Sequence, residues 1–268
     1  MYEKYLNQNL LVISFFEPQK EQEEEEGVGT VGGRKRVGKL NNLIINLIDI
    51  TNGNQLKSFS IPNVKKTKIN LHINENLILC QFENEKLKRS ELFVFELFKD
   101  SNKKLLIKNR GFILPKNIKT ISSTKTLKGI TAKMFLFGYL DDRVYGFHKY
   151  MIDPMRPDGI PTPAESEDFL TTYDPKLISF DNQFITLNRT IFGLESIETF
   201  TANLESTSHV FIFGLDIFYT RIFPALEFDF LNDNFSFNLL LTTTFGLILL
   251  TIFSYCYSKS VKSNLYWQ

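Results

Sequence analysis

His72, His148 and His209 stand far apart in the chain, and none lies in an HxxxH, CxxC or carboxylate spacing by which a short segment could chelate a metal. They read as structural or surface histidines. Glu165, Glu167 and Asp168 are close enough to suggest an acid paired with a base. Raising one carboxyl's pKa needs burial, however, and Pro154, Pro157, Pro161 and Pro163 around them predict a solvated loop over Asp153 to Asp174. Cys80 sits in a strand-like run and Cys256 in an apolar C-terminal segment, so no disulfide is expected. GxSxG, P-loop and GxGxxG motifs do not occur. The sequence therefore offers no catalytic, cofactor-binding or metal-binding set and reads as a non-enzyme; a propeller enzyme holding a quinone or metal would need a ligand cluster that is not found.

What remains to explain is how the chain is anchored and folded. From Phe237 to Tyr257 run 21 residues without a charge, FNLLLTTTFGLILLTIFSYCY. As a helix they extend ~31 Å and match the hydrocarbon thickness of a bilayer, which predicts one transmembrane helix with its boundaries at Phe237 and Tyr257. Tyr255, Tyr257, Tyr266 and Trp267 supply aromatic residues for the far interface. Glu227, Asp229 and Asp233 precede the span and Lys259 and Lys262 follow it, so the positive-inside rule places residues 258–268 in the cytosol and the large domain on the lumenal side. Met1 to Phe16 has no cleavage site and reads as a strand rather than a signal peptide, which by itself would suggest late, tail-anchored insertion with a cytosolic domain. The two directions are reconciled if the residues end a longer polypeptide.

The formal net charge of +1 predicts no attraction to nucleic acid, and 26 phenylalanines lean towards sheet plus span. Short apolar runs bounded by turn residues recur over residues 1–150: Leu10 to Phe16, Leu43 to Ile50, Leu56 to Ile61, Leu77 to Phe82, Leu92 to Phe98, Lys133 to Tyr139 and Val144 to Phe147. That spacing means a sandwich, barrel or propeller. Asn52-Gly53 predicts a two-residue primed hairpin turn, and Asp141-Asp142 a similar turn before Val144. Residues 17–39, with Glu23 to Glu26, a Gly-rich stretch and Arg34-Lys35-Arg36, read as a disordered low-complexity insertion. Residues 151–208 form a Pro-rich connecting region, and His209 to Phe223 reads as a closing strand. Over 209–236, Asp216, Arg221, Asp229 and Asp233 are interleaved with aromatics such as Phe228; such mixing suits either a segment at the membrane surface or a linker with packed aromatics. Asn188-Arg189-Thr190 and Asn234-Phe235-Ser236 are glycosylation sequons, of which Asn188 stands far enough from the span to be modified.

Four stretches carry a family likeness. Tyr5 to Leu11 (YLNQNLL), Glu75 to Phe98, Gly129-Ile130-Thr131 with Leu136 to Gly138 and Asp153-Pro154-Met155-Arg156-Pro157, and Leu204 to Ser208 (LEST-S) with Gly214 to Ile217, Thr220-Arg221, Pro224 and Phe228-Asp229 occur in the order found in one family. In them the chain resembles the C-terminal region of subunit 1, the largest subunit, of the endoplasmic reticulum membrane protein complex. The resemblance implies a partial β-propeller of quinoprotein-like blades, then a juxtamembrane segment and one C-terminal transmembrane helix. It also implies a non-enzymatic scaffold in a complex that inserts and shields tail-anchored and multipass transmembrane segments. Its expected partners are the other subunits, client segments and the lipid bilayer, with no nucleic acid; its expected place is the endoplasmic reticulum membrane. Asp216, Arg221, Phe228, Asp229 and Asp233 match or lie in the family's membrane-lying brace. The rival reading is a signal-less tail-anchored adaptor with a cytosolic β domain.

Overall fold

The computed structural model describes residues 3–18, 41–100, 104–177, 184–187, 189–229 and 235–266. Most of the insertion expected at 17–39 lies outside them. Among the described residues, fourteen strands run in chain order as β1 (Glu3–Lys4), β2 (Leu10–Pro18), β3 (Asn41–Asp49), β4 (Asn54–Val64), β5 (Asn70–Asn74), β6 (Leu77–Asn84), β7 (Arg89–Lys99), β8 (Leu105–Ile113), β9 (Ile118–Ser123), β10 (Met134–Tyr139), β11 (Val144–His148), β12 (Ser196–Thr201), β13 (Ser208–Phe213) and β14 (Ile217–Ile222). A one-turn helix α1 (Pro163–Glu167) interrupts the Pro-rich region, and α2 (Phe237–Tyr266) closes the order.

The strands form antiparallel meanders. We call β2–β4 sheet I, β5–β8 sheet II, β9–β11 sheet III and β12–β14 sheet IV. β1 extends sheet II by pairing with β7. Sheets I and II touch in hydrogen-bonded register only at Val64 and Asn84, so they are two meanders rather than one flat surface.

Alternation of side chains explains why they stack. Successive residues of a strand point to opposite faces, and in sheet II both faces are apolar. Ile78, Cys80 and Phe82 point one way and pack with Leu43, Ile45 and Leu47 of sheet I. Leu77, Leu79, Leu92 and Val94 point the other way and pack with Phe135, Phe137, Tyr145 and Phe147 of sheet III. The opposite face of sheet III presents Leu136 and Val144 to Ile197, Val210 and Ile212 of sheet IV. Each fully buried Leu, Ile or Phe contributes about 1.5–3 kcal/mol, so these interlayers are the principal source of cohesion. At one edge β9 lies between β5 and β12, where polar side chains stitch the layers. Asn70 Nδ2 donates to the Ile118 carbonyl at 2.7 Å, and Thr199 Oγ1 donates to the Ser123 carbonyl at 2.7 Å.

The mainly β architecture expected from the sequence is present, with corrections. His209 to Phe223 is a hairpin, β13 and β14, and not one closing strand: Gly214 turns the chain where a Cβ would lie 2.6 Å from the Phe192 carbonyl oxygen. The β3–β4 connection spans four residues, and only Gly53 adopts positive φ (+65°). A two-residue primed turn would need it at both central positions. The connecting region over 151–208 holds β12 and α1, the latter started by a capping box in which Thr162 accepts from the Glu165 N–H and Glu165 accepts from the Thr162 N–H.

Gly138 and Gly146 sit on the side of sheet III that faces sheet IV, where a Cβ at 138 would lie 2.5 Å from Leu194 Cδ2. Gly138→Val should destabilise the domain by about 1–3 kcal/mol through overpacking. A lowered urea midpoint with an unchanged slope would register it.

Candidate partner and membrane interface

Two of the segments that carry the family likeness meet in space. Glu205, in the turn between β12 and β13, reaches the loop between β9 and β10. Its carboxylate accepts the backbone N–H groups of Lys128 (2.6 Å), Ile130 (3.0 Å) and Thr131 (3.2 Å), and the hydroxyls of Thr126 (2.8 Å) and Thr131 (3.1 Å). These donors, the Lys128 amide first, favour the charged form and hold its pKa at about 2. A carboxylate so occupied is a clasp between sheets III and IV rather than a base. Asp142 acts similarly: it pairs with Lys119 at 2.5 Å and accepts the N–H groups of Gly193 and Leu194, each at 3.2 Å.

The Asp153 to Pro157 motif is pinned in the same manner. Arg156 donates to the carbonyls of Met151 (2.7 Å), Thr171 (3.2 Å) and Thr172, while Asp153 accepts the Met155 N–H at 2.8 Å. Arg110 lies 4.6 Å over the Tyr173 ring and pairs with Asp158 at 2.8 Å, and Tyr173 donates its hydroxyl hydrogen to the Gly111 carbonyl. The loop expected there is irregular but anchored.

The candidate chemical groups are spread out. His72 meets Ser123 Oγ at 2.9 Å, and burial lowers its pKa to about 4, so it is neutral at pH 7. His148 stacks on Tyr150, and His209 bonds the Tyr219 hydroxyl at 2.8 Å. Among the described residues no group of His, Cys, Asp and Glu is placed to hold a metal. Lys149 bridges the buried Glu96 (2.6 Å) and Asp153 (3.8 Å), beside a cavity of about 100 Å³. That is small against the ~300–1,000 Å³ of small-molecule sites.

Of the expected interface residues, Asp216 lies exposed in the turn before β14, Arg221 is exposed near the end of that strand, and Phe228 and Asp229 are exposed beyond it. Asp216 and Arg221 therefore stand near opposite ends of one strand rather than in one cluster. Asp233 and Asn188 lie outside the described residues. Sequence reasoning missed the outer face of sheet IV. There Phe211 contacts Phe200 (centroids 5.6 Å apart) and Tyr219 (4.9 Å), and Tyr219 stacks on His209 (5.7 Å). The alternation in His209 to Phe213 held the signal, since every second residue there is large and aromatic or imidazole.

The helix α2, taken by itself, begins at Phe237 and runs 30 residues, nine past Tyr257. Nothing between Ser258 and Tyr266 breaks a helix, because that stretch holds neither Pro nor Gly. Over Phe237–Lys262 it is long and apolar enough to cross a bilayer. Thr242, Thr243, Thr244 and Thr251 return their hydroxyls to carbonyls three or four residues back, which satisfies those groups without water.

Comparison with known proteins gives a consistent picture. Residues 1–225 match the family described as ER membrane protein complex subunit 1, second beta-propeller. Proteins named ER membrane protein complex subunit 1 from Gallus gallus and Xenopus laevis are 30% and 29% identical to 99% of the chain. One of the same name from Schizosaccharomyces pombe is 28% identical over 77% of it. The chain spans about a quarter of the vertebrate relatives' length, 26% in each case.

Two outcomes are expected. Glu205→Gln should accelerate hydrogen exchange at the Lys128, Ile130 and Thr131 amides by about tenfold or more. Because the folded-state pKa of about 2 is below the ordinary 4.5, the wild-type advantage should be full above pH 4.5 and vanish as pH falls towards 2. Leu249→Arg in the middle of α2 should cost about 2.5–3.5 kcal/mol of insertion, read as a shift from the membrane pellet to the supernatant after alkaline carbonate extraction.

Proposed function

The chain belongs to the ER membrane protein complex subunit 1 family, and from that membership we propose that it is a non-enzymatic scaffold subunit of the endoplasmic reticulum membrane protein complex. The observation that carries this reading is the ordered match over 99% of the chain, propeller first and apolar helix after it. In this role the stacked sheets offer docking surfaces to other subunits, and α2 fixes them to the bilayer. Together they support insertion and shielding of tail-anchored and multipass transmembrane segments.

The charge pattern supports a direction. Glu227 and Asp229 precede the helix, while Lys259 and Lys262 follow its apolar part, which favours a lumenal β domain and a cytosolic C-terminus. A non-catalytic role fits the site chemistry as well, because Glu205, Asp142 and Arg156 spend their hydrogen-bonding capacity on the chain's own backbone.

The reading is tested in sealed microsomes. The β domain should resist added protease, and an endoglycosidase-sensitive mass shift should disappear in Asn188→Gln; a tagged chain should co-purify the other subunits of the complex from mild detergent. Cleavage of the β domain without membrane rupture would instead select a cytosolic adaptor.

A further inference from the structure

The loop between β9 and β10 inverts the usual sorting of side chains. Thr124, Thr126 and Thr131 are buried in it, whereas Leu127 is 56% exposed and Ile130 79%. Large aliphatic groups ordinarily go inside and threonines outside, so a loop that buries its hydroxyls and shows its hydrocarbon needs a reason. The display is also fixed. Glu205 holds the Lys128, Ile130 and Thr131 amides and the Thr126 and Thr131 hydroxyls, Thr124 Oγ1 accepts the Met134 N–H at 3.0 Å, and Gly129 takes the positive φ (+70°) that turns the tip. Lys125 and Lys128 alternate with the apolar pair; both are exposed, and neither has an ion pair among the described residues. Tyr150, 44% exposed, stands at the same end of sheet III, just past β11. The chain also departs from this end. Strands β13 and β14 pair Ser208 with Ile222, so Ile222, the last residue of β14, lies beside the turn whose Glu205 grips the loop.

We propose that the β9–β10 loop is a membrane contact, in which Leu127 and Ile130 enter the headgroup layer of a bilayer and Lys125 and Lys128 meet lipid phosphates. The proposal rests on α2 being a span and not on the scaffold role, and it puts a lipid contact in the β domain itself, apart from the residues between β14 and α2. Aliphatic tips flanked by unpaired ammonium groups suit the interface, where hydrocarbon reaches the acyl boundary while the cations stay at phosphate depth. Two such tips are far less than a stable protein–protein interface needs, about 1,200 Å² or more of buried surface. They suffice against a surface to which the chain is already fixed, because the span makes the contact intramolecular. The β6–β7 turn has a similar composition, with Leu87 (51% exposed) between Lys86 and Lys88, but Lys88 pairs there with Glu85. That turn also lies at the opposite end of the stack: Asn74, at the far end of β5 from it, bonds Ser123, the last residue of β9. It therefore serves as the control.

The test places the full chain in liposomes of phosphatidylcholine and phosphatidylserine. Trp267→Phe removes the single tryptophan, and Leu127→Trp, Ile130→Trp or Leu87→Trp then supplies one reporter at a time. Flotation of each variant with the liposomes verifies the span, so the fluorescence reports on the loop alone, and near-ultraviolet circular dichroism in detergent checks that each variant is folded. Phosphatidylcholine brominated in its acyl chains near the glycerol should quench Leu127→Trp and Ile130→Trp about threefold or more above Leu87→Trp. Adding Lys125→Glu and Lys128→Glu should reduce that quenching by about half or more. Quenching of Leu127→Trp and Ile130→Trp no greater than that of Leu87→Trp would overturn the proposal. So would protection of Ile130→Trp from iodide without quenching by the brominated lipid, since a second copy of the chain would then cover the loop. Both results are read on the purified chain, so they leave the scaffold reading untouched.

Discussion

Sheets with two apolar faces cannot rest on a single core, and the rest of this domain follows from that constraint. In β6 the six residues Leu77 to Phe82 are all buried, an arrangement open only to a strand sandwiched between layers. A strand that buries one face and wets the other would show polar residues at alternate positions, and the run Leu77 to Phe82 shows one, Gln81, whose amide donates to Ser90 Oγ at 2.9 Å. The layers then have to be added side by side. Small residues set their spacing where large ones cross, as Gly138 does beneath Leu194.

Apolar layers alone would leave neighbouring sheets free to slide, because dispersion and hydrophobic burial have little direction. Direction comes from the polar clasps. Glu205 ties the turn of sheet IV to the β9–β10 loop, Asp142 ties the turn of sheet III to Gly193 and Leu194, and Lys149 joins Glu96 of sheet II to Asp153. Each clasp uses a charged group with several donors or acceptors, which is stronger and more geometrically demanding than a neutral pair. This is why two stretches of the family likeness, widely separated in sequence, are structural neighbours: Ile130 and Thr131, with Lys128 and Thr126 beside them, supply the donors and Glu205 the acceptor.

The legible elements were those whose apolar residues recur at a regular period. β3, β6, β7 and α2 could be read directly, since strict alternation fits a half-buried strand and a long unbroken apolar run fits a span. β5 (NLHIN) and β12 (SIETFT) were not read, because their polar residues belong to contacts between sheets, nor was β8 (LLIKNRGFI), whose Arg110 reaches Asp158 and Tyr173 of the Pro-rich loop. Asn70 bonds the Ile118 carbonyl, and Thr199 the Ser123 carbonyl, so polarity that suggests a loop marks a seam instead. The hairpin of β13 and β14 was hidden for a different reason: Gly214-Leu215-Asp216 is short and keeps an apolar residue at its centre, so the run reads through the turn. The site was less legible than the fold. Asp216 and Arg221 could be named from the likeness, but their separation along β14 and the aromatic face between them are properties of strand register, which needs the partner strand β13 to be known.

The same reasoning separates the two kinds of exposed apolar surface in the chain. Along α2, Leu239, Leu241, Phe245, Leu247, Leu250 and Phe253 are exposed on all sides, with no polar stripe to lie against water. A helix apolar all round needs an apolar medium all round, and the hydroxyls returned to its own backbone remove the few groups that would resist one. The outer face of sheet IV is different. It is mixed: Phe200, Phe211, Phe213, Ile217 and Tyr219 share it with Glu198, His209 and Arg221, and its rings are set against each other, with a 4.9 Å approach of Phe211 to Tyr219. Lipid tails conform to any apolar outline and gain nothing from such order, and they would leave Glu198 and Arg221 without water. The helix is thus shaped for an apolar solvent, and the mixed face of sheet IV is not.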